Sequence, residues 1–167
     1  TINSNIKTNH EREIQEYLFS FSNSEMKSSL LGVYKNWMKL SIVTIVLNDP
    51  HGLDRTLSSI FNNSSNDYEL IIVNGGHDVE TNNIINKFMC SKITVINEKD
   101  EGVYDAMNKG VNAAKGSIIS FLNAGDTAKP NYVGDFIDAI QSYDYVYSGV
   151  NLVTKKNKII TNYPKDI

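Results

Sequence analysis

The chain has little of what builds cross-linked or membrane-spanning proteins. Cys90 is its single cysteine among 167 residues, which excludes a disulfide framework within the chain. The three histidines are scattered and have no cysteine partners, which argues against a structural zinc site. No run approaches the roughly 18 apolar residues of a transmembrane helix, and the first residues show no signal-peptide pattern. Together these absences predict a cytoplasmic protein.

The chain also lacks an excess of either charge. Sixteen basic and 19 acidic residues give a formal net charge of -3, which argues against a nucleic-acid partner. Hydrophobic residues make up 41%, well above the content typical of disordered chains. At this length a folded chain buries roughly 70% of its unfolded surface, enough for one domain with its own core.

Residues 1–38 differ in pattern from the rest of the chain. Apolar residues recur at helical spacing between 11 and 38, with a polar interruption at 22–24, and predict two helices joined by a turn. We interpret them as an N-terminal helical extension that caps the main domain. The alternatives are a membrane-surface or partner-binding helix pair, including one that joins two copies of this chain.

From Leu40 onward, buried-strand patterns alternate with helical ones. Continuous apolar runs predict strands at 41–47, 70–73, 93–96 and 118–122. Apolar stripes predict helices from Leu53 to Phe61, over 81–88, and from Val103 to Ala114 with Gly116 as its C-cap. This alternation predicts an α/β fold with a mostly parallel central sheet. A hairpin is expected at the sheet edge, with strands around 145–153 and 159–160.

Polar residues and glycines follow each predicted strand, at 48–49, 74–78, 98–105 and 123–126. Ligands of open parallel sheets bind beyond these carboxyl ends, so a site is expected there. The sequence contains no P-loop, no dinucleotide-binding G-x-G-x-x-G and no nucleophile-elbow serine. These absences exclude the common phosphate-loop, dinucleotide and hydrolase sites.

Two motifs carry a family resemblance. Residues 98–110 read E-K-D-E-G-V-Y-D-A-M-N-K-G, and residues 121–126 read F-L-N-A-G-D. Together with the first strand and the turn at Asn74, they resemble family 2 glycosyltransferases, and most closely the colanic-acid and surface-polysaccharide subset. The resemblance covers about residues 40–162. It implies a GT-A (Rossmann-like) fold for 39–167, with a central sheet flanked by helices.

The resemblance also implies ligands and a location. The expected donor is a nucleotide-diphosphate sugar, and the expected acceptor is a glycan or a lipid-linked molecule. Asp126 matches the last acid of the family's D-x-D motif, which holds Mn²⁺ or Mg²⁺ on the donor diphosphate. The first acid of that motif is replaced by Asn123 or Ala124. An enzyme of surface-polysaccharide assembly is also expected to touch the inner face of the membrane.

Further positions match the donor pocket of the family: Asn48, Asn74, Asp100, Asp105, Asn108 and Lys109. Asn74 departs from the aspartate that usually contacts the nucleotide base, although asparagine keeps an acceptor oxygen. Asp105 and Lys109 have a second interpretation, an exposed i,i+4 ion pair on a helix.

The sequence leaves the catalytic step incomplete. Members of the family continue for about a domain's length beyond this point, and no match to their general base is found in 143–167. The favoured hypothesis is the donor-binding part of an inverting glycosyltransferase, truncated on its acceptor side. The alternative is a catalytically silent nucleotide-sugar-binding domain. A nucleotidyltransferase is less favoured, because the loop at 48–52 has one glycine and no Lys or Arg.

Overall fold

The computed structural model describes residues 39–140 and 146, together with the backbone of 150–153 and 159–163. The predicted N-terminal extension, 1–38, lies outside the described residues, so its helices and any self-association through them stay predictions. In the described part of the chain, no helix is both long and apolar enough to cross a membrane.

A four-stranded parallel sheet forms the centre of the fold, with the strand order β3-β2-β1-β4. Its strands are β1 (Leu40–Val46), β2 (Tyr68–Asn74), β3 (Ile93–Asn97) and β4 (Ile118–Phe121). Val46, Asn74 and Asn97 are register partners, so β1, β2 and β3 end level with one another. The predicted α/β fold with a parallel sheet is confirmed.

Helices cover both faces of this sheet. They are α1 (Pro50–Phe61), α2 (Val79–Phe88), α3 (Val103–Ala113) and α4 (Tyr132–Ile140). Helices α1, α2 and α4 pack on one face, where Leu57 and Ile137 meet Ile42 and Ile72 in a buried cluster. Helix α3 packs on the other face through Ala106. Because apolar residues point to both faces, the strands appear in the sequence as unbroken apolar runs.

Two local predictions require correction. Helix α3 ends at a C-cap at Ala114, so Gly116 does not cap it. Gly116 instead lies where the chain enters β4, and a Cβ there would stand 2.3 Å from the carbonyl oxygen of Lys39. Glycine is therefore required for close backbone approach at this position.

The second correction concerns the hairpin. Strands β5 (Val150–Val153) and β6 (Ile159–Tyr163) do pair antiparallel, as predicted. Within the described residues, however, they form a separate two-stranded sheet and do not extend the edge of the central one. The turn predicted between them lies outside the described residues.

Candidate functional site

The carboxyl ends of three neighbouring strands meet around a glycine pair. A Cβ on Gly76 would lie 2.1 Å from Oδ1 of Asn48, and a Cβ on Gly75 would lie 1.9 Å from Oδ2 of Asp100. Two of the predicted donor residues, Asn48 and Asp100, therefore reach the Gly75–Gly76 turn from the strands on either side of β2. Asn48 itself has a φ of 49°, a left-handed conformation that asparagine tolerates better than most residues. The site edge is thus built by close contact of side chains with glycine backbone.

Asn74 lies inside this edge, with no solvent exposure. Its Oδ1 accepts a hydrogen bond from the Gly76 N–H at 3.2 Å, and its Nδ2 donates to Oδ1 of Asn97 at 3.1 Å and of Asn82 at 3.3 Å. The amide is fully engaged within the protein. In this arrangement Asn74 fixes the shape of the glycine turn, and a carboxylate in its place would face two amide oxygens.

Asp105 and Lys109 hold the loop that carries Asp100. The Nζ of Lys109 lies 3.1 Å from Oδ2 of Asp105 and donates to the carbonyl oxygen of Lys99 at 2.7 Å. Asp105 also accepts from the Glu101 N–H at 3.0 Å. The hydrogen bond from the Glu101 N–H, followed by the hydrogen bond and the charge of Lys109, lowers the pKa of Asp105. The i,i+4 ion pair expected as one interpretation is therefore present.

The neighbouring residues complete this loop. Partial burial opposes the charge on Lys109, but its pairing with Asp105 and Glu98 outweighs that effect and raises its pKa. Asp100 accepts a hydrogen bond from the Gly102 N–H at 3.0 Å. Asn108 lies exposed on α3, in the second turn of the helix. Hydrogen bonds from Glu101 to Asp105 and from Lys109 to Lys99 thus connect the loop before α3 to the first turns of that helix.

Asp126 is presented by a tight turn after β4. The Asp126 N–H donates to the carbonyl oxygen of Asn123 at 3.0 Å, and Gly125 has a φ of 99°. A positive φ at the third position is what a type II turn requires, hence the glycine. The turn is fixed to β1 by a hydrogen bond of 3.1 Å from the Ala124 N–H to the carbonyl oxygen of Ile45. The Asp126 residue is exposed to solvent.

Helix α1 supports this turn from the other side, a role that the sequence analysis missed. Thr56 is fully buried, and its Oγ1 donates to the carbonyl oxygen of Asp126 at 2.7 Å and accepts from the Gly125 N–H at 3.0 Å. One turn further on, Oγ of Ser59 accepts from the Ala128 N–H at 2.9 Å. The polar residues at 56 and 59, within an otherwise amphipathic helix, were the available signal.

Arg55 is a second missed residue. It is exposed on the first turns of α1, and its Nη2 lies 3.9 Å from where a Cβ on Gly125 would stand. A guanidinium beside the Asp126 turn is chemically suited to phosphate oxygens. In the sequence it is one arginine in an amphipathic helix, with no motif around it.

The oxygen atoms at this turn suit a hard cation. Oδ1 of Asn123 is buried and has no hydrogen-bond partner among the described residues, and Asp126 adds a carboxylate. Among those same residues no group of three or more His, Cys, Asp or Glu is arranged to hold a metal. The residues therefore fit an ion that takes its remaining ligands from a bound diphosphate and water, as Mg²⁺ commonly does. They do not form a metal cage made by the protein alone.

Solved structures define the class of fold. The chain superposes on S. aureus TarS (residues 1–349, in complex with UDP-GlcNAc) with a TM-score of 0.54 at 20% identity, covering 61% of this chain and 32% of TarS. It also superposes on the mannosyltransferase PcManGT of Pyrobaculum calidifontis, in complex with GDP-Man and Mn²⁺, with a TM-score of 0.53 at 12% identity. That match covers 77% of this chain and 43% of PcManGT. The fold is the GT-A fold of glycosyltransferases.

The family follows from the sequence itself. The profile described as Glycosyl transferase family 2 matches residues 41–166, and the chain belongs to that family. A PGL/p-HBAD biosynthesis glycosyltransferase of Mycobacterium bovis is 36% identical over 117 residues, 66% of this chain and 46% of the relative. The uncharacterised glycosyltransferase YwdF of Bacillus subtilis is 33% identical over 129 residues, 76% of this chain and 47% of YwdF. The chain thus spans about half the length of the curated relatives it matches. The closer resemblance to the colanic-acid subset stays a prediction.

Proposed function

We propose that this chain forms the donor-binding part of a glycosyltransferase that transfers a sugar from a nucleotide-diphosphate sugar to a glycan or lipid-linked acceptor. The observation that carries the proposal is the presentation of Asp126 on a braced turn at the sheet edge where Asn48 and Asp100 meet the Gly75–Gly76 turn. Membership of glycosyltransferase family 2 supports it. The proposed setting is surface-polysaccharide synthesis in the cytoplasm, at the inner face of the membrane.

The donor-site residues divide into two proposed roles. Asn48, Asp100 and Asn108 offer hydrogen-bonding groups to the nucleoside and sugar. Asn74, Asp105 and Lys109 shape the loops that present them, because their polar atoms are engaged within the protein. Arg55 is placed to pair with the diphosphate. The backbone at Gly75 and Gly76 leaves room for the donor to approach closely.

Asp126 and Asn123 are the proposed protein ligands of Mn²⁺ or Mg²⁺. When bound, such an ion neutralises the charge that develops on a departing nucleoside diphosphate. The Asp126 carboxylate would bind the ion and orient it on the diphosphate. The turn around Gly125 would hold that carboxylate in place. The ordinary ligands of these ions are oxygen atoms, which both residues offer.

The proposed reaction is a single displacement with inversion. The acceptor hydroxyl attacks the anomeric carbon while the bond from that carbon to the diphosphate oxygen breaks, and the hydroxyl proton passes to a base. No residue of the described part is assigned as that base. We expect it in the acceptor-side segment that follows the donor domain in the family.

A second candidate is a domain that binds nucleotide sugars without transferring them. The observation that favours it is the single carboxylate, Asp126, at a turn where the family motif has two acids. This candidate predicts nucleotide binding with neither sugar transfer nor donor hydrolysis. Release of free sugar from a bound donor would exclude it.

The test is calorimetric binding of UDP, GDP, dTDP and CDP, each with and without Mn²⁺. We expect one nucleotide to bind in a metal-dependent way and Asp126→Ala to abolish that component, since the carboxylate is lost. Asp67→Ala is the matched control, because Asp67 is an exposed acid before β2, at the opposite edge of the sheet. Unchanged metal-dependent binding in Asp126→Ala would contradict the assignment.

A further inference from the structure

Thr56 contacts the backbone on both sides of the Asp126 α-carbon. Its Oγ1 accepts from the Gly125 N–H at 3.0 Å and lies 2.7 Å from the Asp126 carbonyl oxygen. The Asn123 carbonyl oxygen is also within reach at 3.2 Å. The hydroxyl of Thr56 on α1 is therefore within hydrogen-bond distance of the turn backbone, although Thr56 and Asp126 are 70 residues apart in the sequence.

Among the described residues, the turn makes few other hydrogen bonds. Its internal hydrogen bond runs from the Asp126 N–H to Asn123, and Ala124 fixes its first half to β1. The second half, from Gly125 to Asp126, includes a glycine at positive φ, and glycine loses more conformational freedom on folding than any other residue. Thr56 is suited to hold this half, because its Oγ1 also lies 3.0 Å from the carbonyl oxygen of Gly52, one turn earlier in α1, a contact that restricts its side-chain rotamer.

We infer that Thr56 is a positioning residue for Asp126: it sets the direction of the carboxylate through the turn, without itself touching donor or metal. The inference rests on the proposed function. It goes beyond the family motif, which covers the turn but not α1. If so, a substitution at the buried Thr56 weakens metal-dependent donor binding more than it lowers the stability of the fold.

Ser59 supplies a matched control on the same helix. Its Oγ donates to the Thr56 carbonyl oxygen at 2.7 Å and accepts from the Ala128 N–H at 2.9 Å. Ser59 thus contacts the loop two residues beyond Asp126 and does not bond to the turn. Removal of either hydroxyl costs hydrogen bonds between α1 and the loop. Only removal of the Thr56 hydroxyl releases the backbone at Gly125 and Asp126.

The experiment compares Thr56→Val, Thr56→Ser and Ser59→Ala in the full chain, by calorimetry with the nucleoside diphosphate that the wild type binds and Mn²⁺. We expect Thr56→Val to weaken metal-dependent binding about tenfold, with binding in the absence of Mn²⁺ unchanged. Thr56→Ser keeps the hydroxyl and Ser59→Ala leaves the turn intact, so both should bind within about twofold of wild type. A purely structural role would weaken binding equally with and without Mn²⁺.

A second measurement is made without any ligand. Amide hydrogen exchange at Gly125 should be faster in Thr56→Val and unchanged in Ser59→Ala, because only the first removes the acceptor of that N–H. If Thr56→Val does not fold, Thr56→Cys, whose thiol is a weak hydrogen-bonding group, replaces it in both measurements.

Two failures can be told apart. If the wild type binds a nucleotide with Mn²⁺ and Thr56→Val binds it equally well, the inference is overturned while the proposed function stands. If the wild type binds none of the four nucleotides, the proposed function fails and the inference fails with it, whatever the exchange at Gly125.

Discussion

At the scale of single residues, the direction of a polar side chain decides its role. Asn74 follows a buried strand and matches a ligand-binding position by motif, yet its amide is engaged by Gly76, Asn97 and Asn82. Asp100 has one carboxylate oxygen bonded to the nearby Gly102 and the other against Gly75. Asparagine and aspartate are equally polar in the sequence. Only the fold shows that Asn74 is buried while Asp100 lies at the edge of the site.

Arg55 is the residue whose charge we expect to matter for donor binding. Arg55→Gln removes a cation beside the Gly125 turn, so binding of a nucleoside diphosphate should weaken about 3- to 10-fold, and the difference should shrink at high salt. Titration calorimetry at low and high salt measures this. Lys115→Gln is the control, since it removes the same charge at the amino edge of the sheet. An equal loss in both variants would mean that Arg55 acts only through net charge.

The residues found from sequence and those missed differ in one physical respect. Asp100, Asp105 and Asp126 belong to short motifs, in which neighbouring residues mark their role. Thr56 and Arg55 act on a turn about 70 residues away. Such contacts depend on how α1 packs against the turn after β4, which no local pattern encodes.

At the scale of elements, α3 packs closely on the sheet at Gly110. A Cβ on Gly110 would stand 2.3 Å from Cγ1 of Val43, in the middle of β1. A glycine inside a helix costs stability through its flexibility, so its presence here is explained by this contact. The packing of α3 also sets where Asp105 and Lys109 lie.

Gly110→Ala should therefore destabilise the protein despite the better helix propensity of alanine. We expect a loss of about 1–3 kcal/mol in the free energy of unfolding, because the methyl group overpacks the interface with Val43. Denaturant unfolding measures it. Asn112→Ala, at an exposed position of the same helix, should be neutral or slightly stabilising. A neutral Gly110→Ala would show that α3 can shift away from β1 at no cost.

Element prediction succeeded where the local pattern and the packing agree. Strands buried on both faces appear as apolar runs, and all four were found within one or two residues of their ends. Helix α4 was not predicted; it spans nine residues and has Gly134 near its start. Its Val133 and Ile137 are buried, and Tyr132, Phe136 and Ile140 pack against the same cluster. These five residues recur at helical spacing, so the pattern was present in the sequence and was missed.

At the scale of the whole molecule, the two edges of the sheet have different tasks. The carboxyl edge carries the candidate site. At the amino edge the buried Glu69 accepts hydrogen bonds from Ser41 Oγ and the Lys115 N–H, both at 2.6 Å, and from the Gly116 N–H at 3.0 Å. These bonds fix the entry of β4 beside β1. The stability of the fold is thus linked to a carboxylate far from the proposed donor.

Acid should weaken the fold through Glu69. Burial opposes its ionisation, but the hydrogen bonds from Ser41, Lys115 and Gly116 outweigh that effect and hold the pKa below its ordinary value of 4.5. The unfolded chain therefore takes up the proton first as the pH falls. The stabilisation is complete above about pH 4.5 and is lost as the pH falls through the lower folded pKa.

Denaturant unfolding between pH 7 and pH 3 tests this in wild type and Glu69→Gln. The variant should be about 1–2 kcal/mol less stable at pH 7, because charge-assisted hydrogen bonds become neutral ones. It should also lose less stability than wild type on acidification. Parallel pH curves for the two proteins would rule out Glu69 as a source of the acid sensitivity.

The Asn74–Gly75 step also bears on how the protein ages. Asparagine before glycine is the sequence most prone to deamidation, in which the glycine nitrogen attacks the side-chain amide carbon and expels ammonia. Water then opens the resulting succinimide to aspartate or isoaspartate. Here the Gly75 N–H donates to the carbonyl oxygen of Val46 at 3.0 Å, and the Asn74 amide is buried and bonded. The native state therefore slows deamidation of Asn74. Conversion to aspartate at this position would accumulate with the time that a molecule spends unfolded.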